Sequence, residues 1–508
     1  MKLIRKFKRE ILLGIFLLFS YFLLRLIYLN SLPMFTDEAI YVRWAQIALH
    51  DSSWRFISLT DGKQPMYIWV AMLFIKFIKD PLIAGRLVSV FTGLFTMVGL
   101  FFLSFKLFKS KTISFLTSIF YIAFPFAVVL DRMAIYDSMV AAFYVWALYF
   151  SITLVRKIRL DNAFILGFII GGGVLTKTSN FFSIYLMPFI LVLFDFKQKK
   201  WKYQMLKFIL LAAFSAAIGY GFYQILRLSP LFEMISAKNA TFVYPVSEWI
   251  KHPFTFFWGN LHGLTSWLLQ YLTPSFIVLI VISLIFIKKF IREKLILLIF
   301  FLLPFLALAL FGKLIYPRFI FLMTVCLLPL AAWGLKYLFD LLDKKFAKNI
   351  ALAKISKIIL LILVIIYPVF VSFTFAVDPV NAKIADADEG QYVNSWAAGW
   401  GVKESVAYFT KQAENQKIYI ATEGTFGLMP ESMEIYLINN KNITIKGYWP
   451  ISTFPQTVEN MASKMPTYFI FYQHEHEVIP PDYPLKLIFQ VKQGKSNNYY
   501  RVYQVMSK

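Results

Sequence analysis

Long apolar runs separated by short polar connections fill the first three quarters of the chain, and each is close to the ~20 residues a helix needs to cross a bilayer. The runs fall near 10–29, 82–105, 112–130, 137–155, 161–175, 179–196, 204–226, 268–287, 295–312, 315–338 and 355–377. They predict about eleven transmembrane helices, with the two runs around 171–177 short by that measure. The first connection, 30–81, is long. Within it Ala39, Val42, Ala45, Ile47 and Ala48 recur at helical spacing, and 65–78 is apolar but too short to span. Both read as amphipathic helices lying at the membrane interface. After residue 377 the pattern changes. Stretches 417–421, 443–446, 468–472 and 485–491 are rich in β-branched and aromatic residues and predict strands, while 402–412 and 432–438 predict helices. The expected architecture is an α-helical polytopic membrane domain over 1–378 and a small α/β domain over 379–508.

Composition supports this division. Hydrophobic residues make up 59% of the 508, and aromatics 19%, against ~45–50% apolar in a soluble globular chain. The formal net charge of +24 would suggest nucleic acid in a soluble protein. Here Lys and Arg collect at 2–9, 106–111, 156–159, 197–202, 288–294 and 344–357. Two predicted spans separate each cluster from the next, so all fall on one side, the cytosol by the positive-inside rule. Nucleic acid is thereby excluded as a partner. An odd number of spans places the C-terminal domain outside, together with connections 30–81, 131–137, 176–178, 227–267 and 313–318. The single cysteine, Cys326, allows no disulfide within the chain. The basic N-terminus and the apolar run after it lack a small-residue cleavage site and read as an uncleaved membrane helix, with Arg25 snorkelling from its outer end.

The outer connections carry the chemistry. Asp37 and Glu38 stand side by side where the first apolar run reaches water. Acids there favour a helix start, and Thr36 or Asp37 is a candidate cap. A carboxylate so held stays ionised and can accept a proton, which makes Asp37 a candidate general base. Lys63, in Gly62-Lys63-Gln64-Pro65-Met66-Tyr67, can meet a phosphate at membrane depth, or simply snorkel. Asp131-Arg132-Met133-Ala134-Ile135-Tyr136-Asp137 joins two spans. Ionisable groups in so short a connection are costly unless paired or functional. Arg132 could pair with Asp137, or Asp137 could face the same cavity as Asp37 while Arg132 meets phosphate. Lys177 after 171–173, and Lys313, Tyr316 and Arg318 before the tenth span, are further groups that could converge on an anionic leaving group. Glu38, Tyr41, Tyr67 and His262 are candidates for orienting groups or acceptor contacts. A divalent metal ion could share the leaving-group task, with Glu38 and His262 as candidate ligands, although no ligand set is compelling. His474-Glu475-His476-Glu477 resembles a metal cluster but sits at a strand end, where alternate residues are usually just exposed.

The order of these motifs resembles the GT-C membrane glycosyltransferases, in the protein O-mannosyltransferase-like branch that includes the bacterial lipid A aminoarabinose transferase. The resemblance covers roughly residues 10–340. It implies a polyprenyl-phosphate-linked monosaccharide donor, mannose-like or aminopentose-like, and inverting transfer to a hydroxyl of a lipid, glycan or protein acceptor. Transfer would occur on the outer face of the cytoplasmic membrane. Asp37 matches the family's base, Lys63 its phosphate-contacting lysine and Asp137 its second acidic loop. Gln64 stands where the family's Lys-Pro-Pro has its first proline, and Ile40 precedes Tyr41 where Arg is usual. Residues 391–404, Gln-Tyr-Val-Asn-Ser-Trp-Ala-Ala-Gly-Trp-Gly-Val-Lys-Glu, resemble a stretch after the last span of other bacterial members and suggest no chemistry by themselves. The alternative class is a lipid or glycan transporter with an extracytoplasmic receptor domain. Transporters place ionisable groups near the midplane and often carry repeats; here the acids map to outer connections and no repeat is visible.

Overall fold

The computed structural model describes residues 8–473 and 483–507, so 474–477 lie outside the described residues. Among the described residues, seven helices are long and apolar enough to cross a membrane: Pro81–Phe108, Asp137–Arg156, Trp201–Leu228, Phe257–Ile285, Ile291–Phe311, Pro317–Lys345 and Ile350–Val377. Lys8–Leu26 adds a 19-residue helix with charged ends. Met66–Phe77, Leu160–Thr176 and Thr178–Leu193 are shorter apolar segments. In a bilayer every backbone polar group must find a partner within the protein, which is why these runs fold as helices.

Prolines account for most departures from uniform spans. The run expected to be continuous over 112–130 is two helices, Lys111–Ala123 and Pro125–Asp131, bent by 63°. Phe124 before Pro125 takes an extended ψ of 114°, as a residue preceding proline prefers. The helix Phe257–Ile285 starts well before the expected 268 and breaks at Thr273 (φ 59, ψ 151), just ahead of Pro274. The expected span 179–196 is a chain of short turns, Thr178–Phe181, Phe182–Tyr185 and Met187–Leu193. The number of regular spans is therefore smaller than the periodicity suggested.

The charge clusters gather at one end. Lys111 reaches Glu10 at 2.9 Å. Arg156 donates to the Lys106 carbonyl and pairs with Glu293 at 3.1 Å. Arg292 donates to the Phe194 carbonyl, and Lys357 pairs with Asp343 at 2.6 Å. Arg25 corrects its expected role: it is fully buried rather than snorkelling. Its Nε lies 3.2 Å from Asp131 Oδ2, and it donates to the Ile122 and Tyr121 carbonyls at the bend. An unpaired charge at that depth would be expensive, so the arginine turns inward to Asp131.

The connection 30–81 forms the two expected helices, Thr36–His50 and Met66–Phe77. Just before the first is a two-residue strand, β1 (Met34–Phe35), antiparallel to β2 (Ala398–Gly399) far along the chain. The C-terminal sheet holds β3 (Ile418–Glu423), β4 (Ile443–Tyr448), β5 (Thr467–Phe471), β6 (Leu485–Lys492) and β7 (Tyr499–Val505), in the order β4-β3-β5-β7-β6. β3 runs parallel to β4 and β5, while β7 is antiparallel to β5 and β6. β7 was not anticipated. The predicted helices appear as Val402–Gln412 and Glu431–Leu437. The second packs on the Thr36–His50 helix, with Arg43 to Glu434 at 2.7 Å and Gln46 donating to the Ile435 carbonyl at 2.9 Å.

Candidate active site

The site is built around the first turn of the Thr36–His50 helix. Phe35, not Thr36 or Asp37, occupies its N-cap position and has no side-chain oxygen to offer. Glu38 compensates by reaching back, its Oε2 accepting the Phe35 N–H at 2.9 Å. The same carboxylate takes a two-pronged ion pair from Arg86, each contact at 2.8 Å, and the Ala134 N–H at 2.6 Å. Glu38 is thus fully buried and fully used. It orients the turn that carries Asp37 and has no lone pair left for a metal.

Asp37 keeps 15% of its side-chain exposure at the head of that turn. Arg318 Nη1 lies 3.0 Å from its Oδ2 and Lys63 Nζ 3.6 Å from its Oδ1. Burial pushes the Asp37 carboxyl up, but Lys63, Arg318 and Lys177 outweigh it and hold the group at about 2. Lys63 is aimed by a left-handed turn at Gly62 (φ +63), where a Cβ would lie 2.3 Å from the Met234 carbonyl oxygen. Its ammonium stands 4.7 Å above the Tyr41 ring and 3.3 Å from Asp61, which Lys238 also holds at 2.6 Å. Gln64 donates to Thr178 Oγ1 at 2.6 Å and so ties the Lys63 turn to the Lys177 turn.

Lys177 pairs with Asp137 at 2.9 Å and lies 4.7 Å above the Phe319 ring. Burial holds its ammonium below the usual lysine range, against the pull of Asp137. Arg318, in the turn Pro317–Ile320, is flanked by Phe35 at 5.5 Å and Tyr316 at 5.2 Å. Its Nη1, although 3.0 Å from Asp37, has no hydrogen-bond partner among the described residues. A largely buried guanidinium beside two ammonium groups has the charge to hold an anion.

Asp37, Lys63, Asp137, Lys177, Tyr316 and Arg318, candidates from the sequence, are brought together by the structure. Tyr41 is there too, its ring under Lys63. Tyr67 stands behind it, buried, with its hydroxyl donating to the Gly85 carbonyl at 2.9 Å. Arg132 turns away. It pairs neither with Asp137 nor with the site, and donates to the carbonyls of Leu24, Arg25, Ile27 and Tyr28 and to that of Ala376. These carbonyls lie at or just past the C-terminal ends of the helices Lys8–Leu26 and Ile350–Val377, which attract a cation. His262 is exposed on the helix Phe257–Ile285, and no metal-ligand grouping of three His, Cys, Asp or Glu side chains occurs among the described residues.

Two residues were missed. Asp388, in the helix Asp386–Tyr392, is fully buried, and its Oδ2 accepts the Tyr271 hydroxyl at 2.6 Å. Burial pushes its carboxyl up to about 7, with the Tyr271 bond and the Arg318 charge opposing. Tyr392 packs edge-on to Phe35 at 4.9 Å between ring centres. Both follow the last span, in an acidic, polar stretch where one more carboxylate creates no contrast.

The sequence model described as Dolichyl-phosphate-mannose-protein mannosyltransferase matches residues 62–220. No curated protein matches the sequence. Among solved structures, ArnT from Cupriavidus metallidurans in the apo state superposes with a TM-score of 0.60 at 13% identity over 99% of each chain. The same protein bound to undecaprenyl phosphate gives 0.59 at 14%, again over 99% of each. The archaeal oligosaccharyltransferase AglB from Archaeoglobus fulgidus, in complex with an inhibitory peptide and a dolichol-phosphate, gives 0.51 at 14% over 85% of this chain and 64% of that one. At such identities the likeness is one of fold.

Proposed function

We propose that this chain, which has the GT-C fold of the membrane glycosyltransferases, transfers a monosaccharide from a polyprenyl-phosphate donor to a hydroxyl acceptor with inversion at the anomeric carbon. The observation that carries the reading is Asp37 held between Arg318 and Lys63, with the Lys177–Asp137 pair adjoining. One carboxylate able to take a proton lies against three cations able to take a phosphate, at the end of the bundle away from the basic clusters.

The donor phosphodiester sits against Arg318, Lys63 and Lys177, its polyprenyl tail in the bilayer between helices. The acceptor oxygen attacks the anomeric carbon as the bond from that carbon to the phosphate oxygen breaks. The acceptor proton passes to Asp37. Polyprenyl phosphate leaves with one more negative charge than the donor carried, and the cations stabilise that charge as it develops. Arriving phosphate also draws Arg318 and Lys63 away from Asp37, which raises the basicity of the carboxylate when a proton must be taken. The transferred sugar is mannose-like or aminopentose-like, and the acceptor hydroxyl belongs to a lipid, glycan or protein. The fold of ArnT, in a structure bound to undecaprenyl phosphate, supports the donor class. The basic clusters at the opposite end support an active site on the outer face of the cytoplasmic membrane.

The test is transfer of labelled sugar from polyprenyl-phosphate monosaccharides by the purified protein. Asp37→Asn should reduce turnover by roughly 10²–10⁴, the usual worth of a positioned base. Wild-type turnover in that variant would remove Asp37 from the role.

A further inference from the structure

The stretch 391–404 and the helix just before it have no part in the chemistry above, yet they line the site. Thr36 donates both its N–H and its hydroxyl to the Ala397 carbonyl, at 3.0 and 3.1 Å, and β2 pairs with β1. Phe35 is shared: its ring meets Tyr392 on one contact and the Arg318 guanidinium on another. Tyr392 therefore shares the Phe35 ring with Arg318, and Asp388 lies one helical turn before Tyr392.

Both residues are fully buried, and both are incomplete. Apart from their interaction with each other, neither Asp388 Oδ1 nor the Tyr392 hydroxyl has a hydrogen-bond partner. Arg318 acts electrostatically on both. Buried polar atoms are almost always paired. Two such atoms, Asp388 Oδ1 and the Tyr392 hydroxyl, beside the Arg318 guanidinium that faces Asp37, mark the place of a polar ligand. Tyr271 holds Asp388 by its other oxygen and stacks on Phe126 at 4.0 Å, so the free oxygen is fixed in direction.

We propose that Asp388 and Tyr392 form the wall that recognises the donor's monosaccharide, hydrogen-bonding its ring hydroxyls while Arg318 and Lys63 hold the phosphate. The proposal rests on the donor reading above. It assigns the segment after the last span to the catalytic centre rather than to the soluble domain. The wall reads the sugar and leaves the lipid phosphate to the cations. A site built to hydrogen-bond a hydroxyl discriminates strongly against a donor lacking it, because its own groups are then left unpaired.

The experiment compares the intact wild-type protein with Asp388→Asn and Tyr392→Phe. Probes are bare undecaprenyl phosphate and undecaprenyl phosphate carrying mannose, glucose, galactose or 4-aminoarabinose. Two quantities are read: the rise in melting temperature on adding each lipid, and donor kcat/KM for each sugar. In the wild type, at least one sugar-bearing lipid should stabilise more than the bare lipid. Each variant should lose that extra stabilisation while keeping the response to bare undecaprenyl phosphate. Donor kcat/KM should fall tenfold or more, and the ratio of rates between sugars differing at one hydroxyl should shift; a merely structural role would not move that ratio. Unchanged sugar ratios in both variants overturn the wall. So does parallel loss of response to the bare lipid. If neither bare nor sugar-bearing lipid affects the wild type, the donor reading itself fails, a result distinct from a wild type that binds the lipid but ignores the sugar.

Discussion

In the proposed reaction Asp37 answers two opposed requirements. It must stay ionised in a half-buried setting, which its cations ensure, and it must lie close to a phosphate of its own sign. Replacing it with asparagine removes the second conflict along with the base. Asp37→Asn should bind bare polyprenyl phosphate more tightly than the wild type, by about tenfold if one screened charge at roughly 6 Å is lifted, while transferring almost nothing. Calorimetry on detergent-solubilised protein would show it; weaker binding would mean that the carboxylate does not oppose the phosphate. Asp388 yields a separate prediction. Its folded-state value of about 7 lies above its ordinary 3.8. Between those two values the folded chain holds a proton that the unfolded chain has released, so stability falls as pH rises through that window and is level above 7. Asp388→Asn should flatten that part of a melting-temperature profile. At this scale the sequence was readable wherever a charge stood out against apolar neighbours, as for Asp37, Lys63, Asp137, Lys177 and Arg318. Arg132 stood out equally and misled, because contrast marks an ionisable group without saying which of two helix ends it faces. Asp388 and Tyr392 lie in polar sequence and had no contrast to reveal them.

Among the elements, the Thr36–His50 helix depends on a neighbour for its start. Its N-cap is a phenylalanine, and the missing oxygen comes from Glu38, itself anchored by Arg86 and the Ala134 amide. Glu38→Ala would leave Arg86 buried without its counter-charge and the Phe35 and Ala134 amides without acceptors. The expected cost is about 3–5 kcal/mol, read as a large drop in melting temperature. Glu38→Gln should keep part of that stability by retaining a carbonyl oxygen. A stable, fully active alanine variant would show that the turn is held by other means. Helical periodicity located this element and Met66–Phe77 well, because amphipathic spacing is local. It could not locate the bend at Phe124, where two helices share one apolar run, since hydropathy is indifferent to direction. Pro125 was the visible sign of it.

For the whole molecule, the spacing of basic clusters indicated which connections share an end, and the contacts among Lys111, Glu10, Arg156, Glu293, Arg292, Lys357 and Asp343 gather accordingly. What charge spacing could not reveal is how closely the C-terminal part is joined to the opposite end. The join includes β1–β2 and the Ala397 carbonyl, and Gly399 admits it: a Cβ there would stand 2.7 Å from the Met34 carbonyl oxygen. Gly399→Val should open this seam and reduce transfer at least tenfold, while the sheet of β3 to β7, whose hydrogen bonds lie elsewhere, stays folded by protease protection. Unimpaired transfer would make the seam dispensable.

That seam also sets a timetable. Thr36 and Ala397 are 361 positions apart, so the turn bearing Asp37 emerges early in synthesis and its partner strand only after the last membrane-spanning helix. A ribosome-bound intermediate holds Asp37, then the lysines, then Arg318, without the strand that fastens the turn. The turn bearing Asp37 is therefore fastened only after all the membrane-spanning helices have been made, and a chain that stops before β2 lacks that fastening.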